Sequence, residues 1–223
     1  MPLVPSPLRA RRLLPLLVLA ALIQGCVSAP PPPDQDHSRT RPDDWPQRQE
    51  QRTAFDEWTL QGKIAVRQSD RNDTGVVREW QQSGEAFDLT VSSSFMGMGT
   101  TRLTGTPEFL VITTPDGKKL VSQDPEALIR EALGWELPIA SLAYWVRGVP
   151  APGADYELYF DDQGQLGYVL QSGWEIYYEN YAPLEEDQDG SASSRAMELP
   201  RRMTASHEDA LVRLVVTQWQ GAD

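Results

Sequence analysis

The chain holds one cysteine and two histidines in 223 residues. A lone cysteine closes no internal disulfide. His37 lies in a proline-rich segment and His207 in the polar run Ser206-His207-Glu208-Asp209, and neither has the spacing of a metal site. There is no G-x-S-x-G elbow and no glycine-rich phosphate loop. The sequence therefore reads as that of a protein that is not an enzyme and uses no cofactor and no metal. Positive charge is also scarce. Lys and Arg together number 20 against 32 Asp and Glu, a formal net charge of −12. Without clustered cations to neutralise phosphates, nucleic acid is excluded as a partner. Long apolar runs are missing too. Leu13–Ile23 has 11 residues, well short of the ~20 that span a bilayer as a helix.

That short run has a different meaning at the N-terminus. Arg9, Arg11 and Arg12 precede it, which is the charge pattern of a secretory signal. The signal ends Ile23-Gln24-Gly25-Cys26, which resembles the lipobox of bacterial lipoproteins. The resemblance implies cleavage of residues 1–25 and acylation of Cys26. The mature chain then has 223 less 25, or 198 residues, and loses three arginines, so its charge falls from −12 to −15. In lipoproteins of the common enteric type, an aspartate after the cysteine retains the protein at the inner membrane. Val27 stands there instead, which implies the outer membrane.

Residues 29–44 are proline-rich, polar and aperiodic, and read as a tether, so that residues 26–44 form the lipidated end and residues 45–223 the folded domain. Trp45–Trp58 has the pattern of an amphipathic helix with Pro46 in its first turn and Ala54, Phe55 and Trp58 on one face. Strands then dominate. Leu60, Gly62, Ile64 and Val66 alternate with Gln61, Lys63 and Arg67. Phe87, Leu89 and Val91 alternate likewise, as do Tyr156, Leu158 and Phe160, then Leu166, Tyr168 and Leu170, then Trp174, Ile176 and Tyr178. Asn72-Asp73-Thr74 and Pro115-Asp116-Gly117 read as turns.

In the middle, Asp124-Pro125 has the form of a helix start and Gly134 of a stop, with Leu128, Ala132 and Trp135 on one face. A second short helix is expected over residues 138–147, with Arg147 as a cation near its C-terminus. About eleven strands joined by short turns imply an antiparallel meander. A sheet that long curls, and the helices are what its inner face has to cover. The expected fold is mainly β, an incomplete half-open antiparallel barrel of about eleven strands around a few helices, with an apolar cavity.

One connection is out of character. Ser92–Thr100 reads Ser-Ser-Ser-Phe-Met-Gly-Met-Gly-Thr, with Phe95, Met96 and Met98 where a surface turn is usually polar. Two uses suit it: folding back over the barrel's mouth, or insertion into lipid headgroups.

The order and spacing of several pieces resemble the LolB family of outer-membrane lipoprotein receptors. The pieces are Trp58–Arg67, Trp80–Val91, Phe95–Gly99, Leu137–Pro150, Gly173–Tyr181 and Leu199-Pro200. The resemblance spans about Phe55 to Trp219. It implies a monomer anchored at the outer membrane of a Gram-negative bacterium and facing the periplasm. Such a protein takes triacylated lipoproteins from a LolA-like periplasmic carrier and inserts them into the inner leaflet. Its partners are the carrier, the acyl chains of client lipoproteins and outer-membrane phospholipid. The loop Phe95, Met96, Gly97 and Met98 corresponds to the family's membrane-insertion loop. Candidates for the acyl-chain cavity are Trp80, Phe87, Leu89, Trp135, Leu142, Trp145, Tyr168, Trp174, Ile176 and Tyr178. For each of these alone, plain core packing is the commoner role. The acidic insertion after Tyr181 receives no function. Two other readings stay open: a lipoprotein scaffolding an envelope assembly complex, and a binding protein for free fatty acids or other lipids.

Overall fold

Period-two alternation organises most of the chain. The computed structural model describes residues 37–68, 71–93, 99–184 and 197–221. Helix α1 (Trp45–Ala54) is followed by six strands: β1 (Glu57–Gln68), β2 (Arg71–Ser83), β3 (Ala86–Ser93), β4 (Gly99–Thr106), β5 (Phe109–Thr113) and β6 (Lys119–Ser122). Helices α2 (Pro125–Leu133) and α3 (Ile139–Trp145) come next. Five strands close the chain: β7 (Tyr156–Phe160), β8 (Leu166–Gln171), β9 (Trp174–Pro183), β10 (Glu198–His207) and β11 (Ala210–Gly221). All eleven form one antiparallel sheet in the order β6-β5-β4-β3-β2-β1-β11-β10-β9-β8-β7. Two meanders thus meet where β1 pairs with β11. The sheet is mostly β with a few helices on its inner face, and its end strands β6 and β7 do not join, so the barrel stays open.

The curl has a local cause. Register shifts fall at Gln61/Gly62 against β11, at Leu60/Gly62 against β2 and at Val77/Glu79 between β2 and β3. Bulges on neighbouring strands bend a sheet and raise its twist. Gly62 permits the bend, because a Cβ there would lie 2.3 Å from the Val215 carbonyl oxygen. The concave side then encloses one apolar core, into which Leu60, Val66, Phe87, Leu89 and Val91 point as their alternation requires.

The helix starts and stops largely follow the sequence. The Asp124 carboxylate accepts the Ala127 amide at 3.0 Å, and Gly134 ends α2 in the left-handed region with φ 70°. Three expectations are corrected. Helix α1 stops at Ala54, and Trp58 is a buried residue of β1 because the β1–β2 and β1–β11 ladders claim the chain from Glu57 onward. Trp135 lies past the Gly134 stop, so the buried face of α2 is Leu128, Ile129 and Leu133. Asn72-Asp73-Thr74 is not a turn but part of β2, paired with Ala65–Arg67.

The end of the proline-rich segment is held against the sheet. Ser38 exchanges two backbone hydrogen bonds of 2.8 Å with Phe160 on the edge strand β7. The Arg39 guanidinium sits 5.0 Å over the Tyr159 ring and pairs with Glu157 at 2.6 Å. His37 meets Tyr177 edge-on at 5.9 Å. These residues cover the outer face of β7–β9, which explains why β8 is buried on both faces.

Candidate functional site

The concave side divides into two zones. Under α2 and the first turn of α3 lies a small cavity of about 30 Å³. Its walls are hydrocarbon and indole: Trp80 and Leu89 from the sheet, Ile129 from α2, Trp135 and Leu137 from the connector, and Leu142 from α3. That volume has room for a water or two, whereas clefts that hold small ligands are roughly 300–1,000 Å³. The helices are therefore packed down onto the sheet. Two side-chain bonds bound this zone. Trp80 Nε1 donates to Gln82 Oε1 at 3.2 Å, and Trp135 Nε1 donates to Asp73 Oδ2 at 3.1 Å, with Arg71 3.4 Å from the same carboxylate.

The second zone joins α1, the end of α3 and strands β7–β10. It is bound together by buried polar side chains. Arg147 is 3 % exposed. Its Nε donates to the Ala143 carbonyl, and Nη1 faces the Arg52, Thr53 and Phe55 carbonyls at 3.2, 3.1 and 2.6 Å. The guanidinium thus caps the C-terminal ends of α3 and α1 together, where a cation is favoured. Burial pushes its pKa down from the ordinary arginine value, opposed by Tyr144 and Asp56. The role expected of Arg147 as a helix cap is borne out, and extends to a second helix.

Arg52 returns the contact. Its Nη1 donates to the Gly148 carbonyl at 3.3 Å and its Nε to the Glu198 backbone carbonyl at 3.1 Å, and it lies 4.9 Å over the Tyr181 ring. Tyr181 donates to the Leu166 carbonyl at 2.8 Å, and burial pushes its pKa up to about 12. Gln171 is the third anchor. Its Oε1 accepts from Trp145 Nε1 and from the Ala151 amide, both at 2.9 Å, and its Nε2 donates to the Ala151 carbonyl at 2.7 Å.

The ten cavity candidates separate along this division. Trp80, Leu89, Trp135 and Leu142 line the apolar cavity. Phe87 lies at the opposite end of the sheet, in a mixed cleft of about 450 Å³ with Tyr144 and Arg147. Trp145 and Trp174 pack on each other at 5.8 Å, and Ile176 and Tyr178 join the core beside them. Burial drives the Tyr178 pKa well up. Tyr168 is a correction. It pairs with Tyr159 and Tyr177 on the outer face, under His37, and bonds Glu175 at 2.8 Å. Strand β8 carries bulky residues on both faces, so alternation could not assign its sides; a register shift at Tyr159/Phe160 adds to this.

Sequence reasoning missed Arg52 and Gln171. Arg52 carried a signal, because it lies seven residues after Trp45 on the same helical face. Gln171 carried none. Cys26, the loop Phe95, Met96, Gly97 and Met98, and most of the acidic insertion lie outside the described residues.

An open antiparallel sheet wrapped over helices, with an apolar zone on its concave side beside a zone of buried polar bonds, defines a class whose sheet covers apolar surface. The profile of one family, "Outer membrane lipoprotein LolB", matches residues 56–219. An outer-membrane lipoprotein LolB of Marinobacter nauticus is 43 % identical over 214 residues, covering 96 % of this chain and 99 % of its own. Those of Chromohalobacter salexigens and Stutzerimonas stutzeri are 35 % and 31 % identical, covering 92 % and 91 % of this chain and 88 % and 92 % of their own. The chain belongs to the LolB family of outer-membrane lipoproteins.

Proposed function

We propose that this protein receives triacylated lipoproteins from a LolA-like periplasmic carrier and inserts them into the inner leaflet of the outer membrane. In this reading it works as a monomer. Acyl chains on Cys26 anchor it, each buried CH₂ contributing about 0.8 kcal/mol. The observation that carries the reading is the apolar cavity beneath α2 and α3. It lies next to a zone whose helix contacts are fixed by Arg52, Arg147 and Gln171. An acyl chain enters when α2 and the connector through Trp135 move off the sheet, while the end of α3 and α1 stay in place. Burial of the chain favours opening; lost packing of α2 opposes it. The cavity therefore holds lipid less firmly than a bilayer does, and release into the membrane runs downhill without a nucleotide.

The loop Phe95, Met96, Gly97 and Met98 is the membrane-insertion element. It connects β3 to β4, at the end of the sheet that also carries the β1–β2 connection and Trp135. Transfer of lipoprotein from loaded carrier into vesicles tests both parts. Wild-type protein is expected to strip the carrier and deliver cargo to the bilayer. Phe95→Ala/Met96→Glu is expected to strip the carrier normally and deliver slowly. Delivery at the wild-type rate removes the loop from the account; no uptake by the wild type overturns the function.

A further inference from the structure

The convex face of the sheet carries a trough that nothing above uses. It has a volume of about 360 Å³ and lies across β11, β1 and β2. Its floor is Ala65, Gly75, Val76 and Val215, and its flanks include Lys63, Thr74, Ser92 and Arg213. Lys63 pairs with Val215 on one side and Val76 on the other, and Ala65 pairs with Arg213 and Thr74, so these residues form two adjacent rows on one face. Arg78 reaches the same edge, where its Nε donates to Ser92 Oγ at 3.0 Å. Arg67 continues the row of Lys63 and Ala65 along β1.

Cations on and beside the sheet are of two kinds. Arg39, Arg71, Arg102 and Arg202 each have a carboxylate partner: Glu157, Asp73, Asp88 and Glu179. Among the described residues, Lys63, Arg67, Arg78 and Arg213 have none; Arg213 donates only to Thr204 Oγ1, at 3.2 Å. Among the described residues, Lys119 of β6 and Arg201 of β10 also lack a carboxylate partner. Nearby acids are engaged: Asp73 by Arg71 and Trp135, Glu179 by Arg202, Glu175 by the Tyr168 hydroxyl. Glu79 sits beyond Arg78, beside Arg102 and Asp88. Four unpaired cations gathered on one face of a chain with net charge −12 mark a place where an anion is brought.

We propose that this trough holds the phosphate-bearing headgroups of anionic phospholipid and lays the domain on the membrane beside the insertion loop. The inference rests on the membrane-delivery reading above. Three observations favour lipid over an acidic protein surface. The floor offers small aliphatic side chains and none of the Trp, Tyr or Phe anchors that centre a protein interface. Val76 is 39 % exposed, apolar area that long cationic side chains flank while their charges reach outward. Ser92, paired with Val76 near the end of β3, sets the trough at the end of the sheet that carries the β1–β2 connection.

The test uses the mature acylated protein in vesicles of phosphatidylcholine, with and without phosphatidylglycerol. A spin label at Thr74→Cys reads contact with headgroups as protection from a water-soluble paramagnetic quencher. Protection is expected with phosphatidylglycerol and not without it. Each cation near an anionic surface adds about 1 kcal/mol, so Lys63→Gln/Arg213→Gln lowers the ratio of bound to free trough roughly thirtyfold. Arg78→Gln, which removes the bond to Ser92 Oγ, is a second and structurally milder variant with the same expected direction. Equal accessibility in both vesicles overturns the proposal. So does protection that appears only when loaded carrier is added, which would assign the face to the carrier. Lipoprotein delivery is followed in the same samples. Delivery with Thr74 left in water sinks the trough and spares the function; failed delivery with Thr74 protected sinks the function and spares the trough.

Discussion

The two zones of the concave side are held by different forces. Around α1, the end of α3 and β7–β10, each helix contact has a buried polar bond behind it: Arg52 to Gly148, Arg147 to the end of α1, Gln171 to Ala151 and Trp145. Under α2 and the connector, contact is almost wholly hydrocarbon on hydrocarbon. Hydrophobic burial is non-directional. A helix held that way can slide or lift and find substitute contacts with an acyl chain. A helix held by buried hydrogen bonds cannot, because each lost partner leaves a desolvated group behind. Under the proposed function, the apolar zone is the part whose side chains an acyl chain would replace.

Breaking the polar zone gives the largest expected effect. Arg147→Met keeps much of the side chain's volume but orphans the carbonyls of Ala143, Arg52, Thr53 and Phe55. Stability should fall by about 4 kcal/mol, given ~1–3 kcal/mol for each group left unsatisfied and partial relaxation. Urea unfolding measures this. Binding of an apolar dye per folded molecule should not rise, since the change lies outside the hydrocarbon zone.

Leu142→Ala makes the opposite comparison. Leu142 lines the apolar cavity and is buried. Truncation should cost about 3 kcal/mol, within the ~2–5 kcal/mol range for buried leucines. Here dye binding should rise, because the enlarged cavity stays dry and apolar. Equal dye binding in the two variants would erase the distinction between the zones.

Alkaline pH loads the polar zone without mutation. Tyr181 is neutral when buried, with its pKa pushed up to about 12, against about 10 in an unfolded chain. The unfolded state therefore loses its proton first as pH rises. The stabilisation is whole below pH ~10 and is lost between about 10 and 12, by roughly 2–3 kcal/mol. Tyr178 shifts in the same direction. Tyr181→Phe should flatten part of this slope while costing about 1 kcal/mol near neutrality, through the orphaned Leu166 carbonyl. A series of thermal melts against pH resolves both signs.

The sheet was legible because its strands bury one face each. Leu60, Phe87, Leu89 and Trp174 alternate with polar neighbours, and the structure puts each of them inside. Strand β8 was not legible. With Tyr168 covered by His37 on one side and Val169 in the core on the other, nothing in the pattern marks the face. The cavity was half legible. Trp80, Leu89, Trp135 and Leu142 are cavity residues, but their packing neighbours Trp145 and Ile176 share the same apolar pattern. Sequence reports that a side chain is buried; which helix covers it, and how firmly, follows from contacts such as Arg52 to Gly148 across 96 positions.

Helix α2 gives the smallest expected effect. Helix α2 starts on the Asp124 cap, whose carboxylate satisfies the Ala127 amide, and ends at Gly134 against Arg71. Asp124→Ala removes the cap in an exposed position and should cost about 1 kcal/mol. It touches neither the cavity wall nor the buried arginines. If α2 is the element that lifts, weakening its first turn should raise the opening equilibrium by about fivefold. Hydrogen exchange of amides 128–133 should then speed up while those of α1 hold. Uniform acceleration across α1, α2 and α3 would mean that the helices open as one body, and that the polar anchors give no zone its own stability.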